Sequence, residues 1–149
     1  MKKYLNNYLF LFILTNSISA YSVNDAVGEN GVVVSSKSPA TQIGINILKD
    51  GGNAIDAAIA VGFALAVTHP SAGNIGGGGF MVVRLANGDV TTIDFREVAP
   101  INSHRDMFLD EFGEVIPGKS WNSILGTGVP GTVAGFGYAH EKFGTMEWE

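Results

Sequence analysis

HPSAGNIGGGGFMVVRLANGDVTTIDFREVAP, residues 69–100, joins a glycine run to two strand-like segments and closes on one arginine set between acidic neighbours. Thr68, His69 and Pro70 halt the segment before it, because a residue that precedes proline is pushed out of the helical region. Ser71–Gly79 then reads as a loop. Phe80–Ala86 reads as a strand, Asn87-Gly88 as a two-residue hairpin turn and Asp89–Arg96 as the returning strand. The first strand is apolar on both faces except at Arg84, the pattern of a strand covered on both sides. On the second, period two sets Thr91, Ile93 and Phe95 against Thr92, Asp94 and Arg96. Phe95 is expected to anchor inward while Arg96 points the other way, at a strand end where a site can open.

The glycines raise the question of a phosphate. A dinucleotide or Walker-type loop follows a strand and opens a helix, so that the helix N-terminus faces the phosphates. Here a helix precedes and a strand follows, no G-x-G-x-x-G register fits, and no Lys-Ser/Thr pair closes the run. The glycines instead offer backbone that can take positive φ or lie against another segment without side-chain interference. Arg96 by its chemistry alone has two readings. Flanked by Asp94 and Glu97, it suits a surface ion-pair network. Less often an arginine so placed serves as a bidentate clamp on a carboxylate, a geometry lysine cannot copy, with Asp94 and Glu97 holding the guanidinium or receiving a substrate ammonium group.

Upstream, Val32–Val34 with Ser35 and Ser36 reads as a short strand. Ser38 is placed as the N-cap of a helix with Pro39 at its first position and Ile43, Ile47 and Leu48 as its apolar stripe. Asp50, Gly51 and Gly52 end it. Asn53 caps a second helix, Asp56 complements its dipole, and Ala54–Val67 is apolar nearly all round, which predicts burial on every side. Downstream, Ser103–Leu109 reads as a short helix capped by Ser103, Glu111–Glu114 as a turn around Gly113, and 117–131 as loop-rich. A last helix runs from Thr132 to Phe143 and closes at Gly144.

At the other end of the chain, Lys2 and Lys3 precede an apolar run over Tyr8–Leu14 and a small, polar stretch to Ala20. Residues 1–20 read as a secretory signal peptide, too short in their apolar part to span a bilayer, and residues 21–149 as the exported part, periplasmic or secreted. Without residues 1–20, which carry two lysines and no acid, seven basic residues face 14 acidic ones. That balance excludes nucleic acid as a partner, since phosphate binding needs a clustered basic surface. The chain has no cysteine, which removes disulfides, thiolate zinc sites and a thiol nucleophile together.

Four segments carry a resemblance: DGGNAIDAA from Asp50, HPSAGNIGGGGF from His69, DFREVAP from Asp94 and GVPGTVAG from Gly128. In this order they are similar to the N-terminal part of the large subunit of gamma-glutamyltransferase, also called glutathione hydrolase. The resemblance implies an α/β (α+β) fold, the αββα sandwich of the N-terminal nucleophile hydrolases, of which only the N-terminal portion is present. It implies transfer of the γ-glutamyl group of glutathione to water or an amino acid, with no cofactor and no metal. The arginine of the family's Asp-Phe-Arg-Glu motif binds the glutamyl α-carboxylate, and that role falls on Arg96.

The family's nucleophile is a threonine freed at the start of a small subunit when the precursor cleaves itself, its own α-amine serving as base. None of Thr68, Thr91, Thr92, Thr127, Thr132 and Thr145 stands in such a context, no G-x-S-x-G elbow occurs, and His69, His104 and His140 read as structural or exposed. The catalytic residues are therefore expected beyond Glu149, in a partner subunit cut from the same precursor. The other reading is a non-catalytic remnant that at most binds carboxylate-bearing amino acids.

Overall fold

The computed structural model describes residues 27–148, so the signal segment read at residues 1–20 lies outside the described residues. Helix α1 spans Ser38–Lys49 and helix α2 spans Ala54–Thr68. The N-cap of α1 is Lys37, one residue earlier than the sequence pattern places it, and no side chain caps the helix. Ser35 organises this entry instead: its hydroxyl donates to the Lys37 carbonyl at 2.9 Å and lies 2.8 Å from Thr41 Oγ1. Residues 32–36 form no strand, since a strand exists only where a neighbour pairs with it and none of the described segments does. At the far end Gly51 takes φ +96°, the left-handed value that glycine adopts without strain. The Gly52 amide then donates back to Ile47 O at 3.0 Å.

Asn53 caps α2 as its position predicts. Its Oδ1 accepts from the Ile55 and Asp56 amides, and Asp56 reaches back to accept from the Asn53 amide at 2.8 Å. Asp56 does more than close this box, for its carboxylate is buried and also accepts from the Thr145 amide at 3.1 Å and the Thr145 hydroxyl at 2.7 Å. Burial works to raise its pKa, but the hydrogen bonds from Asn53, Thr145 and Met146 outweigh it and hold the carboxyl below the ordinary value.

A group whose folded pKa is depressed contributes stability above its unfolded pKa and loses it as pH falls through the folded one. Asp56→Asn is therefore expected to lower the thermal midpoint at neutral pH. Its deficit against the wild type should shrink as pH drops through and below about 4, where the unfolded carboxylate protonates. A deficit that does not change with pH would show that the charge of Asp56 contributes nothing.

Strands β1, Phe80–Arg84, and β2, Val90–Asp94, form an antiparallel hairpin with Phe80 opposite Asp94 and Arg84 opposite Val90. The turn differs from the two-residue reading. Gly88 N donates to Leu85 O at 2.9 Å, so Ala86 and Asn87 are the central residues and Gly88 follows at φ +95°. A primed turn at Asn87-Gly88 needs positive φ at both residues, and among the described residues no non-glycine residue has it.

Exposure differs too. Val83 and Ile93 are buried, but Phe80, Val82 and Val90 are 65%, 72% and 63% exposed, so one face of the sheet is open rather than both being covered. In α2 the inward residues Asp56, Ala57, Ile59 and Val61 are buried, while Val67 is exposed, so that helix is covered on part of its circumference only.

Two short pieces, α3 (Lys119–Asn122) and a 3₁₀ turn (Ile124–Gly126), interrupt the loop before helix α4, Thr132–Phe143. The helix expected at Ser103–Leu109 is absent. Ser103 N donates to Pro100 O and Met107 N to His104 O, successive turns that lead to a bridge between Leu109 and Val115. Beyond that bridge's first residue, Asp110 Oδ1 accepts from the Phe112 and Glu114 amides and fixes the turn around Gly113.

α2 packs on both α1 and α4. The core gathers Ile59, Ile93, Phe136 and Ala139, with Phe136 meeting Phe63 at 5.2 Å and Phe95 at 5.6 Å edge to face. Among the described residues no helix is long and apolar enough to cross a membrane.

Candidate functional site

β2 ends at Asp94, and the backbone beyond it changes partners. Phe95 still pairs with the glycine loop, its amide donating to Gly79 O at 3.0 Å. Val98 pairs instead with Val129, through hydrogen bonds of 3.2 and 2.8 Å. Arg96 and Glu97 occupy the crossover between these two pairings, which is why neither is part of a regular strand.

Asp94 Oδ1 accepts from the Arg96 amide at 3.0 Å, so this carboxylate fixes the backbone rather than the guanidinium. Glu97 holds the guanidinium. Arg96 Nε donates to Glu97 Oε2 at 3.3 Å, and Arg96 Cζ lies 5.7 Å from the centre of the Phe80 ring. Among the described residues no hydrogen bond engages the two terminal nitrogens of Arg96. Held by Nε, the guanidinium keeps the end-on edge that binds a carboxylate through two parallel hydrogen bonds.

The Arg96–Glu97 pair is exposed, at 61% and 36% for the two side chains, so it contributes about 0–1 kcal/mol to stability and serves chiefly to orient. Glu97 and Phe80, the two side chains Arg96 touches, both line an open cavity of about 580 Å³ with Asn74, Gly78 and Thr132, although Arg96 itself is not part of the lining.

The floor of the site comes from the start of α4, which the sequence pattern marks only as a helix entry. The amides of Gly131 and Thr132 both donate to Gly77 O, at 2.9 and 3.1 Å, and Thr132 Oγ1 donates to Asn74 O at 3.2 Å. Two donors that the first turn of a helix leaves free thereby tie down the glycine loop. The signal for this contact was present in Gly128-Val-Pro-Gly-Thr132, but a pairing across 54 residues is not written in any local pattern.

Of the histidines, His140 is half-buried, with Nε2 3.9 Å from Asp56 Oδ1 and its ring 5.0 Å from that of Trp148. No group of three acidic or histidine side chains stands close enough to hold a metal among the described residues.

Comparison with known proteins matches the same segments. A sequence profile described as gamma-glutamyltranspeptidase covers residues 40–149. The glutathione hydrolase proenzyme of Escherichia coli strain K12 is 60% identical over 118 residues, which are 79% of this chain and 20% of that protein. The crystal structure of Helicobacter pylori gamma-glutamyltranspeptidase superposes with a TM-score of 0.78 at 52% identity, over 83% of this chain and 35% of the other. That of gamma-glutamyltranspeptidase from Pseudomonas nitroreducens complexed with L-DON gives 0.76 at 45% identity, over 82% and 36%. The chain thus spans about a fifth of the length of the curated relatives it matches.

Proposed function

Since this chain belongs to the gamma-glutamyltranspeptidase family, with the N-terminal nucleophile hydrolase fold of its solved relatives, we propose that it forms the substrate-recognition part of a γ-glutamyl-transferring enzyme. In this reading Arg96 binds the α-carboxylate of glutathione or another γ-glutamyl compound. A threonine at the start of a second subunit, released from the same precursor, attacks the γ-carbonyl carbon. The peptide amine leaves with a proton, and water or an amino-acid amine then takes the glutamyl group from the threonine oxygen. Residues 1–20 direct export to the periplasm or beyond and are removed, leaving residues 21–149 as the functional segment.

The observation that carries the reading is the state of Arg96. Among the described residues the Arg96 side chain is hydrogen-bonded through Nε alone, and the two side chains it touches line a cavity, an arrangement that suits a carboxylate on the terminal nitrogens. The acid on the other side of the clamp, Glu97, keeps the local charge balanced and draws the substrate ammonium group toward the same place.

Expression of the precursor that contains this segment tests the proposal directly. Two chains should appear from one translation product, the smaller beginning with threonine, and the purified pair should release the amine from a γ-glutamyl anilide. The larger chain should begin near residue 21 by mass spectrometry when the protein is recovered from outside the cytoplasm. An uncleaved product that binds no γ-glutamyl compound would reduce the segment to a non-catalytic remnant.

A further inference from the structure

We propose that Gly78 and Gly131 are positioning residues that set the α-carboxylate selectivity of the site by fixing the backbone of Arg96, an inference that rests on the assignment of Arg96 to that carboxylate. Neither glycine has positive φ, since among the described residues the glycines that do are Gly51, Gly88, Gly113 and Gly118. Gly131 has φ −111° and ψ −14°, which any residue can adopt. Dihedral freedom therefore does not explain either position. Space does.

A Cβ on Gly78 would stand 2.8 Å from Arg96 Cα and 2.8 Å from the Glu97 amide nitrogen. A Cβ on Gly131 would stand 2.8 Å from the Phe95 carbonyl carbon and 3.0 Å from Arg96 O. The atoms met are main chain, which cannot swing aside as a side chain would.

The two glycines come from different segments, which are joined by the hydrogen bond from Gly131 N to the carbonyl of Gly77, the residue before Gly78. The Phe95–Glu97 backbone lies against this joined surface. A methyl group at either position must move it by roughly 1 Å to reach ordinary contact distance near 3.5–4.0 Å. Arg96 would then carry its guanidinium away from the carboxylate position, and misplacement on that scale can cost about 100-fold. Glu97 would move with it. The threonine and its acyl chemistry, held elsewhere, would not.

The readout is the ratio of kcat/KM for a γ-glutamyl anilide with a free α-carboxylate to that for its α-carboxamide, measured on the processed two-chain protein. Gly78→Ala should lower this ratio by about 10-fold or more, through KM, with little change on the carboxamide. Gly77→Ala offers a gentler displacement, because its Cβ would meet only side-chain atoms within 3.4 Å, Asn74 Oδ1 at 3.2 Å and Glu97 Oε1 at 3.4 Å. It should lower the ratio less, and it decides the matter if Gly78→Ala does not accumulate as processed protein. Gly137→Ala, whose Cβ meets nothing within 4 Å, should leave both substrates unchanged.

Equal losses on the two substrates would mean a merely structural role and overturn the proposal. So would an unchanged ratio in a processed, folded Gly78→Ala. A wild-type protein that is processed but does not discriminate the two substrates would instead remove Arg96 from the carboxylate, and this inference with it.

Discussion

With Arg96 on the substrate α-carboxylate as proposed, Arg96→Lys in the processed two-chain protein is expected to raise KM for glutathione by about 10- to 100-fold while leaving the thermal midpoint nearly unchanged, the range that follows from losing a charge-assisted bidentate contact of about 1.5–3 kcal/mol. The two halves of this expectation come from different parts of the geometry. Stability is insensitive because the pair with Glu97 is exposed, and such pairs contribute about 0–1 kcal/mol. Binding is sensitive because Nε is already committed to Glu97 at 3.3 Å, which aims the two terminal nitrogens outward as a rigid fork. Lysine keeps the charge, but its three donors sit on one nitrogen, so it has neither the fork nor a separate nitrogen with which to be aimed. It also gives up the planar contact with Phe80, whose ring centre lies 5.7 Å from the guanidinium carbon.

In the proposed reading the α-carboxylate lies away from the bond that breaks, so Arg96 would hold it about equally in ground and transition states. The loss then falls on KM more than on kcat. An unchanged KM in Arg96→Lys would take this residue out of the site.

Glu97→Ala tests the aiming component, since it removes the acceptor oxygen that holds Nε and leaves the guanidinium itself. A KM between wild type and Arg96→Lys is the outcome consistent with an orienting role.

What was legible in the sequence followed from chemistry confined to a few neighbouring residues. The Asn53 and Asp56 capping box needs only residues three apart, and both side chains sit where that spacing puts them. Gly51 ends α1 for a reason internal to one residue, its φ of +96°. Period two placed Ile93 and Phe95 on the inward face, because alternation is a property of the strand itself.

Some of the misreadings required knowledge of a partner. Phe80–Arg84 is apolar as a strand covered on both sides would be, yet Val82 is 72% exposed among the described residues, since composition cannot say which layer is present. Ser38 is a good capping residue but lies inside the helix, whose N-cap is Lys37, and the Ser35 hydroxyl organises the entry through Lys37 O and Thr41. The glycine run showed that a close approach was coming but not with what. That Gly78 faces Arg96 and Gly131 faces Phe95 depends on a chain path that returns after 18 residues in the first case and 36 in the second.

Two glycines on one helix, Gly135 and Gly137, should respond in opposite directions to the same substitution. Glycine in a helix interior costs about 0.5–1 kcal/mol relative to alanine through backbone entropy, so alanine should stabilise wherever its methyl group has room. At Gly137 it has room, with no atom within 4 Å of the Cβ position, and Gly137→Ala should raise stability by up to about 1 kcal/mol. At Gly135 the Cβ would run into the Phe95 ring, 2.7 Å from Cδ1 and nearer still to Cγ and Cβ.

That ring cannot retreat freely, because it is packed edge to face on Phe136 at 5.6 Å and its backbone is held by Gly79. Overpacking of this kind costs about 1–3 kcal/mol and overwhelms the entropic gain. Gly135→Ala should therefore lower the thermal midpoint of the processed protein, while Gly137→Ala raises it. Since Phe95 is the residue before Arg96, the strain at Gly135 should also reach KM for glutathione, whereas Gly137→Ala should not change it. If both alanines stabilise, α4 does not press on Phe95, and the backbone of Arg96 is held by the glycine loop and Gly131 alone.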